Sequence, residues 1–133
     1  MNASARPTIL VVDDEPEVLR SLHDLLRRDY RVLTFERGPE ALTALHEVDP
    51  PVVMTDQRMP QMTGVEFLRH VKRLRPDSTR LLFTGYADLK AVIDAINEGN
   101  VFRYITKPWD TEEMQTVVRQ AVEHHDLLVE RRQ

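Results

Sequence analysis

Five short apolar runs, each followed by a helical spacing of apolar residues, constrain this chain more than any other feature. Turn residues bound the runs, and apolar residues then recur three and four positions apart. Strands that alternate with helices form a parallel sheet covered on both faces. We therefore predict an α/β fold with strands at 8–12, 31–35, 52–56, 80–84 and 101–105. The intervening helices are predicted at 16–28, 38–48, 65–74, 89–96 and from 110 onward.

The composition narrows the functional classes that such a fold could serve. The 133 residues suit one domain, and the net charge of -4 gives no electrostatic reason to expect nucleic-acid binding. The absence of cysteine excludes disulfides and thiol chemistry. No apolar run approaches the roughly 18 residues of a membrane span, and residues 1–7 lack a signal-peptide core. We expect a cytoplasmic protein with no membrane contact.

Polar side chains follow the predicted strands at the point where each strand ends. They are Asp13 and Asp14 after strand one, Asp56 at the end of strand three, Thr84 at the end of strand four and Lys107 after strand five. Each could have an ordinary role, since Asp can cap a helix or start a loop and Lys can be a solvated charge. Because the carboxyl ends of parallel strands meet at one edge, we expect all five in one crevice.

The predicted cluster of carboxylates indicates a particular chemistry. Three carboxylates repel one another, and a hard divalent cation with oxygen ligands would supply the counter-charge. Mg²⁺, or Mn²⁺ in its place, suits a site that accepts phosphate oxygens. A carboxylate can then act as a nucleophile toward phosphorus, with Lys107 and Thr84 close to the phosphoryl oxygens.

Four motifs make the chain similar to a known family. They are VVDDEP after the first strand, DQRMP with Gly64 after the third, TG after the fourth and YITKP at the fifth. Over residues 8 to about 122 the chain resembles the receiver domain of a bacterial two-component response regulator. The apolar pattern alone leaves the strand order open. The resemblance implies a flavodoxin-like (βα)5 sandwich of three layers with strand order 2-1-3-4-5.

The resemblance implies roles for the acidic residues. Asp56 would accept a phosphoryl group from a sensor histidine kinase or a phosphotransfer protein. Asp14, Asp56 and the backbone carbonyl of Arg58 would bind Mg²⁺ directly, and Asp13 would act largely through water. The chain would then be a signalling switch and not an enzyme, catalysing only its own phosphorylation and dephosphorylation.

The resemblance also assigns residues that respond to the phosphoryl group. Lys107 would contact it, Thr84 would move toward it, and Tyr104 would rotate inward in concert. The alternative for Tyr104 is a half-buried strand aromatic whose hydroxyl reaches water. The bond between Lys107 and Pro108 is usually cis in the family.

Two further positions are expected to tune the lifetime of the phosphorylated state. Arg58 is the second residue after Asp56, and Tyr86 is the second after Thr84. Both side chains are bulky and could obstruct the water that hydrolyses the phosphoryl group.

The last helical segment extends past the resemblance. We expect residues 1–7 to be a flexible lead-in, 8–122 the receiver domain, and 123–133 a linker helix toward an output domain outside this chain. The KPW sequence at 107–109 resembles the sequence at this position in receivers that are joined to enhancer-binding transcription activators or to HD-GYP phosphodiesterases. We further expect phosphorylation-dependent homodimers formed through helix four, strand five and helix five.

Three other functions compete with the signalling switch. A phosphatase resembling the haloacid dehalogenases needs an Asp-x-Asp arrangement after the first strand, whereas the two acids here are adjacent. A nucleotide-binding Rossmann enzyme needs a glycine-rich first turn, and this chain has acids there. The third alternative, a stand-alone docking protein, is left open, because only the sequence beyond Gln133 would distinguish it from a multidomain regulator.

Overall fold

A computed structural model describes residues 6–85 and 88–131 of the chain. Its strands are β1 (Thr8–Val12), β2 (Arg31–Phe35), β3 (Val52–Asp56), β4 (Thr79–Thr84) and β5 (Arg103–Thr106). Its helices are α1 (Pro16–Leu26), α2 (Gly38–Ala44), α3 (Gly64–Leu74), α4 (Leu89–Asn97) and α5 (Thr111–Arg131). The strands form one parallel sheet in the order β2-β1-β3-β4-β5, which confirms the flavodoxin-like order.

Each central strand contributes side chains to two separate cores. In β1, Ile9 and Val11 pack with residues of α1 and α5, whereas Leu10 and Val12 pack with residues of α2, α3 and α4. Successive strand residues point to opposite faces, so a strand buried on both sides is largely apolar. The three layers follow directly from this arrangement.

Three predicted boundaries are wrong by two residues or more. Helix α1 ends at Leu26 and not at residue 28. Helix α2 ends at Ala44, because the N–H groups of His46 and Glu47 bond three residues back and tighten the final turn. Strand β5 begins at Arg103 and not at Val101, since pairing with β4 starts where Arg103 lies opposite Leu81.

Among the described residues, no helix combines the length and apolar character needed to cross a membrane.

Candidate functional site

A single ammonium group bridges two buried carboxylates at the carboxyl edge of the sheet. The Nζ of Lys107 lies 3.3 Å from Oδ2 of Asp13 and 3.2 Å from Oδ2 of Asp56. Asp13 directly follows β1, and Asp56 is the last residue of β3. The backbone N–H of Lys107 donates to the carbonyl of Thr84 at 2.9 Å, which extends the β4–β5 pairing to the site. Residues far apart in sequence therefore meet here, as predicted.

The charges in this cluster do not balance. Burial raises the pKa of Asp13 to about 6, although the Glu15 N–H and the Lys107 charge oppose the shift. Burial also raises the pKa of Asp56, again against the effect of Lys107. Burial alone would lower the pKa of Lys107, but the two carboxylates outweigh it and raise the pKa. One cation for two buried carboxylates leaves the site short of positive charge.

The β3–α3 loop folds back tightly on Asp56. Oδ1 of Asp56 accepts the N–H of Gln57 at 2.8 Å, and the Gln57 carbonyl accepts the N–H of Gly64 at 2.9 Å. A Cβ on Gly64 would lie only 2.2 Å from the Asp56 carbonyl oxygen, so only glycine fits. Oε1 of buried Gln57 accepts the N–H of Val65 at 2.9 Å. These contacts fix the backbone on both sides of Asp56.

Three acidic residues can present oxygen ligands to one metal ion. One carboxylate oxygen from each of Asp13, Asp14 and Glu15 lies within 4.8 Å of the others. Hard oxygen donors of this kind fit Mg²⁺. Asp56 is outside this set of three, with its Oδ2 paired to Lys107, yet the charge of Asp14 is close enough to raise the pKa of Asp56. The residues present therefore fit a divalent cation beside Asp56.

The side chain of Arg58 forms an ion pair with Asp88, which directly precedes helix α4. Its Nε donates to Oδ2 of Asp88 at 2.7 Å, and a second guanidinium nitrogen, Nη2, donates to Oδ1 at 3.4 Å. Asp88 immediately precedes α4, so the ion pair joins the β3–α3 loop to that helix. The other position expected to tune phosphoryl lifetime, Tyr86, lies outside the described residues.

Among the described residues, the side chains of Thr84 and Tyr104 form no hydrogen bond with the carboxylates. The buried Thr84 hydroxyl donates to the Gly85 carbonyl at 3.1 Å. Tyr104 is half-buried and packs against the core on the α2–α4 side of the sheet. The peptide bond between Lys107 and Pro108 is cis, as the family resemblance implied.

An aromatic pair lies beneath Lys107. Its Nζ lies 5.2 Å from the centroid of the Phe83 ring, within the range of a cation–π contact. The Phe83 ring meets Trp109 edge to face, with centroids 5.6 Å apart and planes at 68°. Trp109 is the only tryptophan in the chain, so its fluorescence reports on the surroundings of Lys107.

Sequence reasoning missed three residues of this region. Glu15 could have been included, because it directly follows the two acids of the first strand end. Gln57 lies within the DQRMP motif, but the motif indicates no role for its side chain, and Asp88 takes part in no periodic pattern or motif. The contacts of Gln57 depend on how the β3–α3 loop folds back, and that of Asp88 depends on how two loops approach each other.

Comparisons with known proteins agree with this geometry. The sequence model of the response regulator receiver domain family matches residues 9–119 of this chain. The hydrogenase transcriptional regulatory protein HoxA of Cupriavidus necator is 41% identical over 120 residues, which cover 90% of this chain and 25% of that protein. The chain thus spans about a quarter of the length of this curated relative.

Two solved structures share the fold over nearly their whole length. The signal receiver domain of an HD domain-containing protein from Pseudomonas fluorescens has a TM-score of 0.90 and 36% identity, covering 98% of this chain and 97% of that one. The structure of an adenylate cyclase from Rhodopirellula baltica has a TM-score of 0.93 and 36% identity, covering 96% of each chain. Together with the two carboxylates that share one lysine, these matches mean that the chain belongs to the response regulator receiver domain family.

Proposed function

We propose that the chain is a phosphorylation-dependent switch in which Asp56 accepts the phosphoryl group. The observation that carries this proposal is the buried Asp56 carboxylate, 3.2 Å from the Nζ of Lys107 and next to the Asp13–Glu15 acidic cluster. The donor would be a phosphohistidine of a sensor histidine kinase or a phosphotransfer protein. A carboxylate oxygen of Asp56 would form the new bond to phosphorus as the P–N bond breaks, and the imidazole would leave with a proton.

Chain residues would meet the charge of the transferring group. The ammonium group of Lys107 would pair with the phosphoryl oxygens. The backbone N–H of Gln57, which already donates to the Asp56 carboxylate, would donate a further hydrogen bond to them. Asp14, Asp56 and the Arg58 carbonyl are the candidate direct ligands for Mg²⁺, and Asp13 would act largely through water. Glu15 lies close enough to Asp13 and Asp14 to offer a further carboxylate oxygen. When bound, Mg²⁺ would neutralise carboxylate and phosphoryl charge.

The phosphoryl state would be transmitted through the side chains beside it. We propose that the Thr84 hydroxyl exchanges the Gly85 carbonyl for a phosphoryl oxygen, and that Tyr104 turns inward into the space this opens. The receiver would comprise 8–122, and the last part of α5 would lead to an output domain. A cytoplasmic location, a phosphorylation-dependent homodimer and the absence of nucleic-acid binding by this domain belong to the same proposal.

The output connected to this switch is a separate question. HoxA is a transcriptional regulator, and the Pseudomonas fluorescens structure comes from an HD domain-containing protein. These two names favour the outputs suggested by the KPW sequence: a transcription activator or an HD-GYP phosphodiesterase.

Phosphorylation with a small donor tests the function directly. The protein incubated with acetyl phosphate and Mg²⁺ should gain one phosphoryl group by intact mass, and chelation of the metal should prevent the gain. Asp56→Asn should not be modified, whereas the exposed control Asp24→Asn should behave as the wild type. A phosphoryl group gained at the same rate by Asp56→Asn would contradict the assignment.

The proposed metal ligands differ in their expected importance. Asp14→Ala should weaken Mg²⁺ binding more than Asp13→Ala, because Asp13 already contacts Lys107 and would act largely through water. Titration followed by Trp109 fluorescence measures both affinities. Equal affinities in the two variants would contradict the ranking.

A further inference from the structure

Asp88 stands at the N-terminus of α4 but does not cap it. An Asp at this position ordinarily accepts an N–H from the first turn of the helix. The Asp88 side chain makes no such bond, and its ψ of 18° is not extended. Both of its oxygens instead accept hydrogen bonds from Arg58. The first turn of α4 is therefore left without its side-chain cap.

Helix α3 in the same chain shows what capping looks like. Its N-cap, Thr63, has an extended backbone with φ -72° and ψ 161°. The Thr63 hydroxyl accepts the N–H of Glu66, and the Glu66 carboxylate accepts the N–H of Thr63. The difference between the two helices is that Asp88 has a competing donor and Thr63 has none among its hydrogen bonds.

The competing donor is one that a phosphoryl group on Asp56 would attract. The Arg58 side chain is 71% exposed and that of Asp88 is 22% exposed, and an ion pair so open to water is weak. The charge of Asp56 already raises the pKa of Arg58, after the larger effects of the Asp88 hydrogen bond and charge. Phosphorylation would add negative charge and three acceptor oxygens at Asp56, and a guanidinium fork binds such oxygens well.

We propose that Asp88 is a positioning residue that holds Arg58 away from Asp56 in the unphosphorylated state and caps α4 when Arg58 moves to the phosphoryl group. The carboxylate exchanges the guanidinium for the N–H groups of Lys90 and Ala91, the second and third residues of the helix. The N-terminus of α4 thus becomes more stable when Asp56 is modified. This inference rests on the proposed function of Asp56, and it adds a named route from that site to α4.

Amide hydrogen exchange at the start of α4 tests the exchange of partners. In the wild type, Mg²⁺ with beryllofluoride, a phosphoryl mimic, should slow exchange at Lys90 and Ala91 by about fivefold. Arg58→Gln should show the slow rates without beryllofluoride, because Asp88 is then free to cap. Asp88→Ala should show the fast rates in both conditions. Asp94→Asn is the matched control: it removes an exposed ion pair with Lys90 on the same helix and should respond as the wild type.

The inference and the function it rests on fail separately. Beryllofluoride that leaves Trp109 fluorescence unchanged would contradict the proposed function. The Arg58→Gln measurement needs no beryllofluoride, and rates equal to those of the wild type would overturn the inference. Slow rates in Arg58→Gln with no response of the wild type to bound beryllofluoride would also overturn it, because Arg58 would then not move.

Discussion

Replacing Asp13 by Asn should make the metal-free protein more stable at neutral pH. Asp13 is fully buried and shares Lys107 with Asp56, so its negative charge is poorly compensated. The Asn side chain keeps an oxygen that can accept the N–H of Glu15, now 2.8 Å from Asp13 Oδ1. The substitution therefore removes an unfavourable charge while preserving the shape and one hydrogen bond.

The size of the effect follows from the pKa of Asp13. Its value rises from 3.8 to about 6 on folding, so folding favours the protonated carboxyl. Stability is then lost as pH rises from below the unfolded value to above the folded one, in total about 3 kcal/mol. Between about pH 4.5 and about pH 7.5 the expected loss from this group is about 2 kcal/mol. Asp13→Asn should lack this loss.

Urea unfolding followed by Trp109 fluorescence, in the presence of a chelator, measures the difference. The unfolding free energy of Asp13→Asn minus that of the wild type should grow by about 2 kcal/mol over that pH range. The control Asp24→Asn removes an exposed carboxylate and should shift stability by no more than about 0.5 kcal/mol at either pH. A difference for Asp13→Asn that does not depend on pH would refute the idea that the buried charge is costly. Saturating Mg²⁺ should reduce the advantage, because the wild type gains a ligand.

Three further predictions concern other parts of the molecule. Gly64→Ala should lower the unfolding free energy by about 1–3 kcal/mol, because its Cβ would meet the Asp56 carbonyl, whereas Gly85→Ala, with nothing within 4 Å, should change it little; equal effects would contradict the packing argument. Arg80→Met should cost about 2–3 kcal/mol in urea unfolding, because the buried guanidinium donates to several backbone carbonyls that would lose their partner; a change under about 0.5 kcal/mol would contradict this. Arg58→Asn and Tyr86→Glu should speed hydrolysis of phosphorylated Asp56, because each removes a bulky side chain that obstructs the attacking water. Each tenfold increase in the first-order rate corresponds to a barrier lower by about 1.4 kcal/mol. Slower hydrolysis in these variants would favour an effect of charge over obstruction.

Much of the candidate site could be predicted because parallel strands end at one edge. Asp13, Asp56 and Lys107 are far apart in sequence, yet each directly ends or follows a strand whose apolar run is easy to see. That rule requires only strand positions and a common strand direction. The strand order could not be predicted in this way, since helical and strand periodicity do not depend on which strands are neighbours. It came from the family resemblance.

The residues that sequence reasoning missed make contacts within or between loops. The ion pair of Arg58 with Asp88 joins residues 30 positions apart on two irregular segments, where no periodicity indicates which side chains meet. The burial of Gln57 likewise follows from the close approach of Gly64 and not from any property of glutamine. The end of α2 depended on a final turn that tightens, which apolar spacing does not record.

The length of α5 gives small rotations of this helix a large effect at its far end. Its 21 residues run from Thr111 to Arg131, but its fully buried positions end at Ala121. The ten residues beyond that point span about 15 Å at the usual rise of a helix. A tilt of about 10° about Ala121 would therefore move the backbone at Arg131 by about 2.6 Å. A change of side-chain partners at the sheet edge that tips α5 slightly would therefore displace the backbone at Arg131 by more than the length of a covalent bond.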